Sequence, residues 1–167
     1  MTPLLPLFPF PMNKINNNLK KNLSLLVIED NEEDYAALTR IMKKLDFQHP
    51  IYHCLDGDEA LDFLFNTGEY SDPKIAPRPT IILIDLNLPG TDGREVIKVI
   101  KNNQELKTIP VVVLSTSSNP QDIHICYEQG VNSYMEKPVN IKDFHTNIEN
   151  FLSYWFRTVI LPINSYI

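Results

Sequence analysis

Short apolar runs alternate with amphipathic segments from residue 23 onward, and this alternation limits the possible folds more than any other feature of the chain. The runs are LSLLVI from Leu23, IYHCL from Ile51, TIILI from Thr80, IPVVVL from Ile109 and SYM from Ser133. Apolar residues three and four apart predict helices over residues 32–45, 56–65, 94–102, 120–129 and 141–156. Pro73, Pro77 and Pro79 predict that residues 67–79 form a loop.

Strands that are apolar throughout are typical of a parallel sheet covered by helices on both faces. We therefore predict an α/β fold, a flavodoxin-like three-layer sandwich with a five-stranded parallel sheet in the order 2-1-3-4-5. The first and third strands are neighbours in that order. Ligands bind where the carboxyl ends of these two strands meet.

Composition excludes several classes of protein. The chain has 167 residues, enough for one domain with a substantial core. Its formal net charge of −6 argues against a general nucleic-acid or anionic-membrane surface, and two cysteines do not make a disulfide scaffold. No apolar run reaches the roughly 18 residues needed to cross a bilayer. We expect a cytoplasmic protein with no direct nucleic-acid or membrane partner.

The two ends of the chain differ from its middle. Residues 1–22 contain the proline-rich run MTPLLPLFPFP and then an Asn/Lys-rich stretch, which predicts a flexible N-terminal arm. The arm has no basic segment before its apolar run, so it does not resemble a signal peptide. Met1 and Met12 are both candidate start residues. We expect one folded domain over residues 23–156 and an apolar tail over residues 157–167.

Polar side chains follow four of the predicted strands at the point where each strand ends. Glu29 and Asp30 follow the first strand and Asp85 follows the third, with Ser115 and Lys137 after the fourth and fifth. Carboxylates placed together repel one another, and a hard divalent cation such as Mg²⁺ relieves that repulsion. A cation, a hydroxyl and a lysine beside a carboxylate nucleophile are the parts of a phosphoryl-transfer site, with Asp85 able to form an acyl phosphate.

The sequence resembles the receiver domains of two-component response regulators. The similar segments keep their order and spacing between residue 23 and about residue 152: VIEDN (27–31), LIDLNLPGTDG (83–93), VVVLSTS (111–117) and YMEKP (134–138). The resemblance implies a receiver domain over residues 23–156 in which Asp85 accepts a phosphoryl group from a partner histidine kinase. It implies that Asp30, Asp85 and the backbone carbonyl of Asn87 hold Mg²⁺, with Glu29 reaching the ion through water. It also implies that Ser115 and Lys137 contact the phosphoryl group, that Tyr134 is a switch residue, and that the Lys137–Pro138 bond is cis.

A finer resemblance is to the receivers of cyanobacterial phytochrome-type kinases. It depends on the proline-rich loop 67–79, the run NLPGTDGREV and the aromatic tail that ends in FLSYWFRTVILP. It implies a light-regulated phosphorelay and a phosphoacceptor protein that signals by protein contact rather than as an enzyme.

The last helix and the tail predict an interface. Five apolar residues at alternating spacings of 3 and 4 are expected to face the sheet: Ile141, Phe144, Ile148, Phe151 and Trp155. A second apolar set lies beyond what the core needs and predicts a homodimer contact: Tyr154, Phe156, Val159, Ile160 and Leu161. The alternative is that the tail folds back over its own sheet.

Three other functions remain as alternatives. An aspartyl phosphatase would need a second acid two residues after its nucleophile, where this chain has Asn87. A flavin carrier would need a hydroxyl- and glycine-rich loop after the first strand, where this chain has the acidic run from Glu29 to Glu33. A binding module that is not phosphorylated would normally lack Asp85, Lys137 or the acidic pair.

Overall fold

The computed structural model describes residues 23–162, and within this range it contains a five-stranded parallel sheet with helices on both faces. The strands are β1 (Leu25–Ile28), β2 (Ile51–Cys54), β3 (Ile81–Ile84), β4 (Val111–Ser115) and β5 (Ser133–Glu136). The α-helices are α1 (Glu32–Lys44), α2 (Gly57–Phe65), α3 (Gly93–Asn102), α4 (Pro120–Glu128) and α5 (Ile141–Leu152). The strand order is β2-β1-β3-β4-β5, which confirms the predicted flavodoxin-like topology.

The sheet separates two apolar clusters because alternate side chains of a strand point to opposite faces. Leu26, Ile28 and their counterparts on β3 and β4 pack with residues of α2, α3 and α4. Leu25 and Val27 face the other way, where they pack with residues of α1 and α5. The three layers of the predicted sandwich are therefore α1 and α5, the sheet, and the remaining three helices.

Side-chain caps fix where the helices begin. An aspartate or asparagine precedes the first residue of each α-helix, and its side-chain oxygen accepts a hydrogen bond from a backbone N–H of the first turn. These caps are Asn31, Asp56, Asp92, Asn119 and Asn140. Asn31 lies next to the acidic pair, so its cap determines how α1 leaves the carboxyl end of β1.

The last helix differs from the prediction. The α-helix ends at Leu152, and a π-helical turn continues from Ser153 to Thr158, with the Val159 N–H donating to the Tyr154 carbonyl five residues back. With this wider turn Phe156 is buried above Phe151, while Trp155 is half-buried against the same cluster.

The burial of the C-terminal segment corrects two expectations. Ile141, expected against the sheet, is 64% exposed, whereas Phe144, Ile148 and Phe151 are buried as predicted. Phe156 and Leu161, expected beyond the core, are buried in the cluster between the sheet, α1 and α5. The tail thus folds back in part, as the alternative prediction had it. The N-terminal arm and the end of the tail lie outside the described residues.

Residues 67–79 form an ordered loop rather than an extended linker. It contains a short 3₁₀ turn at Gly68–Tyr70, and the Asn66 side-chain amide donates to the carbonyl oxygens of Tyr70 and Ala76 at 3.2 and 2.8 Å. Ala76 is buried in the cluster under α2 and α3.

In the part of the chain that the structure describes, no helix is both long enough and apolar enough to span a bilayer.

Candidate functional site

The strand register brings the polar strand ends to one edge of the sheet. Ile28 of β1 pairs with Ile84 of β3, so the next residues, Glu29 and Asp85, leave neighbouring strands at the same level. The Asp85 N–H donates to the Ile28 carbonyl at 3.0 Å. On the other side, the Lys137 N–H donates to the carbonyl of Ser115, which is the last residue of β4 rather than the first after it.

Three carboxylates converge at this edge. Oxygens of Glu29, Asp30 and Asp85 all lie within 4.8 Å of one another. Glu29 and Asp85 are buried, whereas Asp30 is exposed. Burial raises the pKa of Glu29, and the negative charge of Asp85 adds to this, although the hydrogen bond and charge of Lys137 oppose it. The cluster therefore carries carboxylate charge that needs a nearby cation.

Lys137 supplies positive charge to this cluster. Its Nζ lies 2.6 Å from Glu29 Oε2 and 2.8 Å from Asp85 Oδ2, and its side chain is only 8% exposed. Burial by itself would lower the pKa of Lys137, but its hydrogen bonds to Asp85, Glu29 and Asp34 outweigh burial, so the pKa is raised. Lys137 is therefore a fixed ammonium at neutral pH, aimed at the two buried carboxylates.

The third partner of Lys137 is a residue that the sequence did not single out. Asp34 Oδ2 lies 2.9 Å from Lys137 Nζ, and the Asp34 side chain is 43% exposed. Asp34 occupies the first turn of α1, where its backbone N–H is capped by Asn31. The sequence did show Asp34 as the third acid after the pair, following Glu32 and Glu33. Acids in the first turn of a helix are also explained by the helix dipole, so this signal did not point to Lys137.

The backbone around Asp85 is closely packed. Asp85 Oδ1 accepts a hydrogen bond from the Asn87 N–H at 3.3 Å, so each carboxylate oxygen of Asp85 has a donor. A Cβ atom on Gly93 would lie 2.3 Å from the Asp85 carbonyl oxygen, so only glycine lets α3 begin this close to the strand end. Asn87 is exposed, and the metal-ligand role of its carbonyl stays a prediction.

His53 supports the Glu29 backbone from β2. Its Nε2 lies 2.8 Å from the Glu29 carbonyl oxygen and must carry the proton, because a carbonyl can only accept. The Tyr35 ring stacks on the imidazole with a centroid separation of 3.5 Å. These contacts give His53 a structural role beside the carboxylate cluster.

Ser115 and Tyr134 are joined through Ser117 in the loop between β4 and α4. The Ser115 hydroxyl is buried and accepts from the Ser117 N–H at 3.3 Å, while the half-buried Tyr134 hydroxyl donates to the Ser117 carbonyl at 2.7 Å. The Ser117 hydroxyl in turn donates to Asp122, which pairs with Arg94 at 3.0 Å. A movement of Ser115 would therefore be transmitted through these hydrogen bonds to Tyr134 and to the first turn of α4.

One expectation for the site is wrong. The described residues contain no cis peptide bond, so the Lys137–Pro138 bond is trans. Trans is the lower-energy isomer for a bond before proline as well, by about 0.5–1 kcal/mol. Lys137 makes its three ion pairs in this trans arrangement.

Comparison with known proteins agrees with this fold and geometry. The response regulator receiver domain family matches residues 25–149. The chain belongs to this family. Response regulator Rcp1 of Synechocystis is 43% identical over 138 residues, which cover 83% of this chain and 92% of Rcp1. The predicted resemblance to the receiver domains of two-component response regulators is thereby confirmed.

Two solved structures of receivers are close in shape as well as in sequence. The crystal structure of the Mn²⁺-bound form of Rcp1 has a TM-score of 0.79 at 42% identity, covering 84% of this chain and 99% of that chain. The phosphorylated cyanobacterial phytochrome response regulator RcpA has a TM-score of 0.80 at 38% identity, covering 85% of this chain and 99% of that chain. The likeness to RcpA confirms the finer resemblance to phytochrome-associated receivers. Both neighbours thus extend over nearly the whole described domain.

Proposed function

We propose that this receiver domain accepts a phosphoryl group from a histidine kinase onto Asp85, with Mg²⁺ held by Glu29, Asp30, Asp85 and the Asn87 carbonyl. The observation that carries the proposal is the contact of one buried lysine with both Asp85 and Glu29 beside a third carboxylate. Hard carboxylate oxygens in this number suit a divalent cation that keeps several waters. The crystal structure of Rcp1, 42% identical, is of a Mn²⁺-bound form, which supports a divalent cation in this receiver as well.

The proposed reaction is a direct transfer between two protein side chains. An oxygen of the Asp85 carboxylate attacks phosphorus, a P–O bond forms, the P–N bond to the donor histidine breaks, and the departing imidazole keeps the bonding electron pair and takes a proton from solvent. Mg²⁺, when bound, neutralises charge on the phosphoryl oxygens. Lys137 supplies a second positive charge there, and the Ser115 hydroxyl donates a hydrogen bond.

We infer that the product changes the surface formed by α4, β5 and α5. The phosphoryl group adds about two negative charges at neutral pH. Ser115, turned toward that group, would pull on Ser117, whose carbonyl holds the Tyr134 hydroxyl. A bias of a few kcal/mol between two existing arrangements is enough for such a switch. The chain then acts as a phosphoacceptor that signals by contact, and its own chemistry is self-catalysed phosphoryl transfer and autodephosphorylation.

The proposed donor is a phytochrome-type histidine kinase. The support is the 43% identity to Rcp1 and the 38% identity to RcpA, a phytochrome response regulator by name.

We also assign the protein to the cytoplasm, where the buried thiols of Cys54 and Cys126 would stay reduced. Direct contact with nucleic acid or membrane forms no part of the proposal.

The function is tested by phosphorylation of the purified chain. Incubation with Mg²⁺ and acetyl phosphate should add the mass of one phosphoryl group, and a chelator should prevent the addition. Transfer from a phosphorylated phytochrome-type kinase should be faster than transfer from an unrelated histidine kinase. A chain that gains no mass from either donor in the presence of Mg²⁺ would contradict the proposal.

We further propose a homodimer through α5 and the segment that follows it. Phe156 and Leu161 anchor this segment in the core, which leaves Tyr154 and Ile160 exposed on its outer side. Exposed apolar side chains on an anchored segment favour a protein contact. The buried anchors also mean that truncation after Ser153 would damage the core, so surface substitutions make the better test.

The double variant Tyr154→Glu/Ile160→Glu is expected to sediment as a monomer at concentrations where the unchanged chain sediments as a dimer. Charged side chains at the contact would have to be buried without partners on association. Ile75→Glu is the matched control because Ile75 is equally exposed but lies in the loop before β3. Sedimentation velocity measures the outcome, and a dimer that survives the double substitution would contradict this interface.

A further inference from the structure

Lys137 and a bound divalent cation would compete for the same oxygens. The ammonium contacts Glu29 Oε2 and Asp85 Oδ2, and both residues belong to the carboxylate cluster that fits a metal ion. A cation bound there would repel the ammonium and share its partners. Lys137, at 8% exposure, needs another anion close by if it is to stay charged beside the metal.

Asp34 is the carboxylate that can supply this anion. Its Oδ2 lies 2.9 Å from Lys137 Nζ, but Asp34 is outside the group of three carboxylates whose oxygens converge. Asp34 is also the more exposed partner, and with Lys137 and Phe144 it lines an open cavity of about 180 Å³. The ammonium therefore has both a partner and room on the side away from the cluster.

The start of α1 places the Asp34 backbone beside Lys137. The Asn31 side chain accepts from the Asp34 N–H at 3.0 Å and caps α1. Asp34 thus belongs to the first turn of a helix, whereas Glu29 and Asp85 follow strands directly. The Asp34 carboxylate therefore reaches Lys137 from a different element than the carboxylates proposed to hold the cation.

We propose that Asp34 is a positioning residue that takes over the Lys137 ammonium when a divalent cation occupies Glu29, Asp30 and Asp85. This proposal rests on the function proposed above and adds a residue to its site. In this structure Asp34 shares Lys137 with two other carboxylates. With the metal bound, the Asp34–Lys137 pair becomes the principal contact of the lysine, so Asp34 strengthens metal binding without touching the metal.

The test is a double-mutant cycle on metal affinity. Asp34→Asn should weaken Mg²⁺ binding about fivefold, equivalent to about 1 kcal/mol, beyond the effect of the control Glu33→Gln. The control removes one negative charge from the same turn of α1 at an exposed position that has no ion pair with Lys137 among the described residues. Mn²⁺ titration followed by electron paramagnetic resonance, with Mg²⁺ displacement, gives both affinities.

The lysine background decides how Asp34 acts. In a Lys137→Met chain, Asp34→Asn should weaken Mg²⁺ binding no more than Glu33→Gln does. If Asp34→Asn weakened Mg²⁺ binding equally in both backgrounds, Asp34 would act on the metal directly. If, in the lysine-containing chain, Asp34→Asn weakened binding no more than Glu33→Gln, Asp34 would have no special role. Either result overturns the proposal. Absence of Mg²⁺ binding by the unchanged chain would instead contradict the proposed function, so the two failures are distinguishable.

Discussion

Asp85→Asn is expected to abolish phosphoryl uptake while leaving the fold intact. Asparagine has nearly the same shape and keeps an acceptor for the Asn87 N–H, but its amide cannot form the acyl phosphate. The loss should be complete within detection, because the proposed site holds no second nucleophile with the same surroundings. Intact-protein mass after incubation with Mg²⁺ and acetyl phosphate measures the uptake, and circular dichroism measures the fold.

Asp46→Asn is the matched control for this prediction. Asp46 undergoes the same chemical change, is exposed, and lies in the loop before β2, at the opposite edge of the sheet from the carboxylate cluster. Its φ of 56° is in the left-handed region, which asparagine also tolerates. The control chain should gain one phosphoryl group like the unchanged chain. A gain of one phosphoryl group in the mass of the Asp85→Asn chain would contradict the assignment of Asp85 as the phosphoacceptor.

Lys137→Met is expected to produce the largest loss of stability among the site variants. In the metal-free protein it leaves Glu29 and Asp85 buried without their shared cation, and breaking a buried ion pair in this way costs about 3 kcal/mol of unfolding free energy. Urea unfolding in the presence of a chelator measures the loss. Added Mg²⁺ should restore more stability to the variant than it adds to the unchanged chain, because the metal replaces the missing charge.

The stability loss of Lys137→Met should also depend on pH. The hydrogen bond and charge of Lys137 lower the pKa of Glu29, so the substitution should raise this pKa further above its ordinary value of 4.5. A carboxyl whose folded-state pKa is raised contributes stability that is complete below the unfolded pKa and is lost as pH rises through the folded value. The deficit of the variant should therefore shrink as the pH falls from neutrality toward 4.5.

Lys142→Met controls for the loss of one lysine. Lys142 lies exposed in the first turn of α5, so its replacement should change the unfolding free energy by less than about 0.5 kcal/mol. If Lys137→Met unfolded at the same urea concentration as Lys142→Met, the buried carboxylates would not depend on Lys137. The electrostatic account of the site would then be wrong.

The strand ends show how far sequence reasoning reaches in this protein. Glu29, Asp85 and Lys137 could be placed at one edge because each lies at the end of a predicted strand, and parallel strands put such positions side by side. The strand order could be predicted for the same reason. Asp34 was missed because its place in the first turn of α1 has an ordinary local explanation, and its contact with Lys137 spans 103 residues.

The C-terminal segment shows where periodicity fails. An uninterrupted α-helix over residues 141–156 would put Trp155 on the buried face, but with the π turn Phe156 is the buried residue and Trp155 is only half-buried against the same cluster. The sequence reads Tyr-Trp-Phe over residues 154–156. Because all three residues are apolar or aromatic, the pattern does not show that the buried one lies five residues after Phe151. The choice depends on how the segment packs against Phe47 and His49, which precede β2.

The sequence alone determined the layered α/β fold, the strand order and the meeting of the acidic pair with Asp85, because apolar periodicity and position along a strand are local properties that parallel topology converts into proximity. Only the tertiary structure decided that Lys137 is shared among Glu29, Asp85 and Asp34, that Tyr134 binds the Ser117 carbonyl, and that Phe156 completes the core. Those contacts depend on the direction of side chains from elements far apart in the chain, which is set by how the helices pack on the sheet.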